Sequence, residues 1–292
     1  MKYDEVSKDA SGNTFRLAGL SPSTTYYLKG SVDGNMCRPV TFTTEAATQL
    51  PNAGMEDWEI NGSDSNWERY YVGKPWGESV WGTNNPMTTS QGGNFGYVRI
   101  SGTKPVDNGH NGKAACISTQ GWGSGNSALT GVSGKCKYID AGLLHLGASR
   151  TARPEGYGDG HVSGPISTSD LDCGIAFASR PSALSFYYKY EKKNDADRGV
   201  AKAYVYDAEG NEIASGVIEV DAQSSFVKGD IPLTYQAGAP KAAKIYVCFL
   251  SSNSESHLVK NSSYLNGPGL GNLSRGEYSA SRLYIDDITL EY

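Results

Sequence analysis

The chain has 292 residues, a net charge of −5 and only 20% charged residues, which leaves no basic face for nucleic acid. No apolar run is long enough for direct membrane insertion. Glycine at 36 residues, tyrosine at 19 and the lack of a sustained helical period favour an all-β fold with many turns, and the length allows about two domains. Cys37, Cys116, Cys136, Cys173 and Cys248 are odd in number, widely spaced and without a C-x-x-C pair. They outline neither a zinc site nor a disulfide framework and read as buried thiols, with a Cys116–Cys136 bridge left open.

Residues 13–44 begin the chain's readable order. Thr25 to Leu28 is a β-rich run, Asp33-Gly34 supplies a hairpin turn, and Val40 to Thr44 returns. The corner Leu20-x-Pro22-x-Thr24-x-Tyr26, or Thr25 and Tyr27 one register on, resembles the end of a fibronectin type III domain. That resemblance implies a partial fibronectin- or immunoglobulin-like module over residues 1–47, since a whole one needs about 100 residues. The expectation is that its front half is missing or is supplied by a partner, and that any further domain and any export signal lie upstream.

Glu45 to Gln49 is a polar linker, and the second domain is expected over residues 50–292. Its strands alternate with glycine-marked turns. Lys113 to Thr119 follows the turn-rich stretch Val106 to Gly112. In Ser182 to Tyr190, Leu184, Phe186, Tyr188 and Tyr190 share one face while Ser185, Tyr187 and Lys189 share the other. Ala201, Ala203 and Val205 oppose Lys202, Tyr204 and Tyr206. The turn Asp207 to Asn211 then leads into Glu212 to Val220, and Ile245, Val247 and Phe249 repeat the alternation. Three glycine- and serine-rich stretches interrupt it, at 76–93, 147–170 and 251–281. Loops of that length are usually functional or disordered.

The tail, Arg282 to Tyr292, carries its apolar residues on two phases: Leu283 with Ile285, then Ile288 with Leu290. The slip falls at Asp286-Asp287, as a β-bulge would produce. Two adjacent acids in a core-facing strand need a cation or a cluster of N–H donors. Their expected partner is Glu56, in Pro51 to Ile60, on a first strand paired with the last. Asn52-Ala53-Gly54-Met55-Glu56-Asp57-Trp58, with the closing hydrophobic-Asp-Asp-hydrophobic, resembles the N-x-G-hydrophobic-Glu start, followed by a Trp, of the carbohydrate-binding-module jelly rolls, with one residue between Glu56 and Trp58. WGESVWGTNNP (76–86) and FASRPSALSFYYKY (177–190) resemble more specifically the carbohydrate-metabolism domain family (PCMD) of Gram-negative gut bacteria.

The resemblance covers residues 50–292 and implies a jelly-roll β-sandwich, a structural calcium at Glu56, Asp286 and Asp287, and no organic cofactor. It also implies an oligosaccharide or polysaccharide partner and a cell-surface or periplasmic setting. The alternative at the acids is a metal-free hydrogen-bonded cluster.

Sugars are held by aromatic rings against their apolar faces and by planar polar groups on neighbouring hydroxyls. Trp76, Trp81 and Trp122 lie among Gly, Asn and Ser and read either as ligand platforms or as pins for their own loops. Asn84, Asn85, Arg153, Arg180, Tyr187 and Lys189 are the polar candidates beside them, with an ion pair the alternative for Arg180. Tyr187 and Lys189 line a groove only if their face is the concave one. Glycosidase chemistry needs two carboxyl groups about 5–10 Å apart. Glu155, Asp159 and Asp172, then Glu78 and Asp170, with His145 and His161 as acid/base partners, are motif-free candidates. The chain thus reads as an all-β carbohydrate-recognition module. A glycoside hydrolase in the same groove and a structural or adhesin-type protein-binding module are the alternatives.

Overall fold

A computed structural model describes residues 17, 20–61, 68–74, 78–89, 101–124, 136–151, 173–193, 195–236, 238–253 and 281–292. Strands β1 (Thr25–Leu28), β2 (Ser31–Val32), β3 (Asn35–Met36) and β4 (Val40–Thr43) form one hairpin, with β1 paired to β4 and β2 to β3. Its tip is Asp33-Gly34, both in the left-handed region, which is what a tight two-residue hairpin turn demands. Tyr26 stacks on Phe42 across the strands.

The second part continues with β5 (Trp58–Asn61), β6 (Arg69–Val72), β7 (Trp81–Thr83), a single helical turn α1 (Asn85–Thr88), β8 (Thr103–Val106), β9 (Ala114–Ser118), β10 (Gln120–Ser124) and β11 (Cys136–Asp140). Then come β12 (Leu143–Leu146), β13 (Ile175–Ala176), β14 (Ala183–Glu191), β15 (Gly199–Tyr206), β16 (Glu212–Val220), β17 (Gln223–Pro232), β18 (Lys244–Leu250) and β19 (Arg282–Glu291). Among the described residues no helix is long and apolar enough to cross a membrane.

Two antiparallel sheets carry the fold. One has the order β16-β15-β18-β12-β7, with β13 also on β18; the other has β17-β14-β19-β9-β8. Alternation along each strand decides which side chains meet between them. Leu144, Leu146, Ala201, Ala203, Val205, Ile245, Val247 and Phe249 come from the first sheet. Ala115, Ile117, Leu184, Phe186, Tyr190, Ile231, Leu283, Ile285, Ile288 and Leu290 come from the second. Phe186 and Phe249 meet edge to face, ring centres 5.1 Å apart, and tie the sheets together. Burying each such side chain contributes about 1.5–3 kcal/mol. This is an all-β sandwich.

The register of β19 on β14 shifts between Ser185↔Thr289 and Tyr187↔Asp286, so Asp287 and Ile288 oppose the single residue Phe186. Asp287 takes φ 45° there, the left-handed conformation that a bulge residue adopts. The re-aiming puts Ile288 and Leu290 into the same core as Leu283 and Ile285.

The head of the domain does lie along its tail, but not through a first strand. β5 pairs with β6, and the contact to β19 is made by residues before it. The Gln49 amide receives the Leu290 N–H and donates to the Leu290 carbonyl, both at 2.8 Å, and Ile288 N–H donates to Ala53 O at 2.9 Å. A side-chain amide here substitutes for a peptide group of a neighbouring strand, which is why no strand was needed.

Candidate functional site

Three surfaces position the residues of interest. The first is the corner where head and tail meet. The Asp286 carboxylate, fully buried, accepts N–H bonds from His110 (2.7 Å), Asn111 (2.9 Å) and Asp287 (2.7 Å). Burial pushes its carboxyl up and those donors pull it back. Glu56 Oε1 accepts the Lys113 N–H at 2.8 Å, and Asp287 Oδ2 meets His110 Nδ1 at 2.7 Å. The turn 107–113 therefore draws Glu56, Asp286 and Asp287 to one corner.

Its glycines form the cradle. A Cβ on Gly109 would stand 2.7 Å from both Asp286 Oδ2 and Lys113 O, and one on Gly112 would collide with Glu56 Oε1. The glycines let the turn close directly on the two carboxylates, whose oxygens accept its N–H groups and, with the Lys113 carbonyl, are also the hard donors that a calcium ion prefers. Among the described residues no three acidic, His or Cys side chains group closely enough to hold a metal by themselves. Glu56, Asp286 and Asp287, with the Lys113 carbonyl beside them, carry the oxygens that would hold one.

The second surface is the outer face of the five-stranded sheet, where Tyr187 and Lys189 point. The His110 ring lies on Tyr187 at 3.5 Å, with Phe226 at its edge. Lys189 pairs with Glu191 at 2.9 Å and sits 4.4 Å over the Tyr284 ring. Both side chains thus have partners within their own sheet.

The third surface is the outer face of the six-stranded sheet. Pairing sets Tyr204 opposite Tyr246, and Cys248 between His145 and Lys202. Four rings follow one another: His145 to Tyr246 at 6.0 Å, Tyr246 to Tyr204 at 6.2 Å, and Tyr204 to Tyr206 at 6.3 Å, the last pair stacked. Leu143, Val200, Leu250 and Cys173 complete the face. Among the described residues His145 Nε2 has no close hydrogen-bond partner, and the buried Tyr246 hydroxyl has only the Cys248 thiol beside it.

Burial, with the Arg150 cation adding to it, holds the His145 imidazole down at about 4, so it is neutral near pH 7. Burial also depresses Lys202, raises the Cys248 thiol and pushes the Tyr206 phenol up to about 12. Aromatic rings edged by polar atoms are the chemistry that holds a polyhydroxylated ring; in this row His145, Tyr246 and Tyr204 are buried and Tyr206, at its end, is partly exposed.

The other sequence candidates fall elsewhere. Trp81 is in the core between the sheets, its indole N–H on Pro51 O at 2.8 Å. Asn85 satisfies backbone: its amide donates to Tyr70 O and Thr103 O and accepts the Thr103 N–H. Asn84 is buried and donates to Ala141 O. Arg180 pairs with Glu45 at 3.0 Å and donates to Ala239 O. Trp122 lies on β10 opposite Tyr138, its side chain outside the described set, and Glu78 is exposed. Trp76, Arg153, Glu155, Asp159, His161, Asp170 and Asp172 lie outside the described residues.

The sequence did not single out Tyr204, Tyr206, Tyr246 or Lys202 as a site. The available signal was the outward phase Lys202-Tyr204-Tyr206 against inward Ala-Ala-Val, which marks a face richer in aromatic rings than solvent requires.

No family model matches the sequence, and no curated protein matches it. Among solved structures the chain is similar to the module TmCBM61 in complex with β-1,4-galactotriose, at 12% identity and a TM-score of 0.31 over 82% of this chain and 95% of that one. It is also similar to the family 11 carbohydrate-binding module of the cellulosomal cellulase Lic26A-Cel5E of Clostridium thermocellum, at 13% identity and a TM-score of 0.28 over 73% and 89%. The mannan-recognising module TmCBM27 shows 10% identity and a TM-score of 0.29 over 84% and 95%. Likenesses this distant carry no argument, and the fold rests on the strand order and register above.

Proposed function

We propose that the protein recognises a carbohydrate on the outer face of the six-stranded sheet. The observation that carries the reading is the ring row His145, Tyr246, Tyr204 and Tyr206, which runs from the buried middle of the sheet to the partly exposed Tyr206. Ring faces supply contact for the apolar side of a pyranose, and neutral polar atoms supply its hydroxyls with partners.

The N-terminal hairpin as the end of a fibronectin-like module, membership of the PCMD family and an extracytoplasmic setting belong to this proposal as well. All three are supported by the sequence resemblance. A structural calcium at Glu56, Asp286 and Asp287, with the Lys113 carbonyl beside them, is its remaining part, supported by the way the 107–113 turn holds all three acids at one corner. Calcium there ties head to tail and activates nothing. A glycan array read alongside product analysis tests the function: binding without turnover is expected, turnover would make the protein an enzyme, and absence of any bound glycan would reject the reading. Chelation followed by calcium addition tests the ion through the melting temperature, which should fall and recover.

A further inference from the structure

The turn 107–113 carries two Asn-Gly pairs, Asn108-Gly109 and Asn111-Gly112, within the stretch that grips the acidic corner. An asparagine before glycine is open to an internal reaction. With no Cβ on the next residue, nothing shields its backbone nitrogen or restricts the dihedrals that bring it to the side-chain amide carbon. The structure separates the two pairs. The Gly109 N–H donates to Gly112 O at 2.9 Å, and a Cβ on Gly109 would meet Lys113 O and Asp286 Oδ2 at 2.7 Å. The Gly112 N–H has no hydrogen-bond partner among the described residues, and both Asn111 and Gly112 are exposed. Among the same residues Asn111 is held by its backbone N–H on Asp286, at 2.9 Å, and its side-chain amide makes no hydrogen bond.

We infer that Asn111 is a site of spontaneous deamidation, and that its conversion loosens the corner joining head to tail. Solvent base takes the Gly112 N–H proton and the nitrogen bonds to Asn111 Cγ. The Cγ–Nδ2 bond breaks, and ammonia leaves with a proton from solvent. Water then opens the five-membered imide at one of its two carbonyls, giving aspartate or isoaspartate. No oxidant or reductant takes part.

Two grips of the turn stand on either side of the reacting bond. The Asn111 N–H donates to Asp286 at 2.9 Å and the Lys113 N–H to Glu56 at 2.8 Å, while Gly112 between them lies against Glu56 Oε1. Isoaspartate inserts a methylene into the main chain between those two donors, so both bonds are no longer met at once. Either product also adds a carboxylate beside Glu56, Asp286 and Asp287, where like charges repel.

The test incubates the full chain and Asn111→Gln in warm, mildly alkaline buffer, maps the peptides by mass spectrometry and follows the melting temperature. Asn111 should take on the mass of an amide turned acid at least about fivefold faster than Asn108, the factor imposed by one backbone hydrogen bond at Gly109. Incubation in urea, which removes that bond, should bring the two rates together. The melting temperature should fall by about 2–4 °C as Asn111 is converted, the loss of one hydrogen bond in a domain of this size. Asn111→Gln should keep its melting temperature through the same incubation, since a glutamine would have to close a slower six-membered ring and its backbone N–H stays on Asp286. Conversion of Asn111 no faster than that of Asn108 in the folded protein overturns the site. Conversion of Asn111 with an unchanged melting temperature overturns its coupling to the corner.

Discussion

The His145 imidazole offers a quantitative test of how the outer face of the six-stranded sheet is buried. Its ordinary value of 6.5 is lowered to about 4 by burial and by Arg150, while the Leu146 carbonyl at 3.1 Å pulls slightly the other way. The unfolded chain therefore binds a proton between pH 6.5 and 4 that the folded one does not. Stability from this group is complete above pH 6.5 and is lost as pH falls through that window. At about 1.36 kcal/mol per pH unit, the whole loss is roughly 3 kcal/mol below pH 4, and about 2 kcal/mol is gone by pH 5. For a domain of this size that is about 4–8 °C in melting temperature. The measurement is urea unfolding of the natural protein and His145→Gln from pH 7 to pH 5. Other titrating groups cancel in the difference, which should shrink by about 2 kcal/mol over that range. A difference that stays flat with pH would show that the ring is solvated, and the buried-face argument would fail.

Other consequences follow from the packing. Phe249→Ala should cost about 3–5 kcal/mol, and a cycle with Phe186→Ala should show about 0.5–1.5 kcal/mol of coupling by chemical denaturation, since the rings bridge the sheets. Asp286→Ala leaves the His110 and Asn111 N–H groups facing an emptied, buried position and should cost about 2–4 kcal/mol in the same assay. Gly112→Ala forces a side chain into φ +82° and against Glu56, so its melting temperature should drop by several degrees, about 2 kcal/mol or more. Gln49→Ala removes both bonds to Leu290 and should cost about 1–2 kcal/mol, with faster amide exchange at Leu290 and unchanged exchange at Phe249.

Much of the frame was legible in the residues. The phase slip at Asp286-Asp287 marked the bulge because side-chain period in a strand is strict, and the Asp33-Gly34 turn marked the hairpin because few residue pairs accept its backbone. Glu56 and the tail acids are held by the same 107–113 turn, and the Gln49 amide joins head to tail at Leu290, contacts with no local signature. Alternation told which residues of β14 and β15 share a face. It could not tell which outer face would be covered, since that depends on the strands placed beside it. Tyr204 and Tyr246 are far apart in the chain and become neighbours only through the pairing of β15 with β18. Trp81, Asn84 and Asn85 sit among glycines and polar residues, so nothing nearby signals that the sandwich closes over them and uses their N–H and C=O groups for backbone.

The central claim places sugar on one sheet and not the other, and calorimetric titration with the best-bound oligosaccharide compares the two directly. Tyr206→Ala, at the partly exposed end of the ring row, should reduce affinity about tenfold or more, while Tyr187→Ala, under His110 on the opposite sheet, should leave it unchanged. Loss on Tyr187→Ala with binding intact in Tyr206→Ala would contradict the account and move the site to the five-stranded sheet.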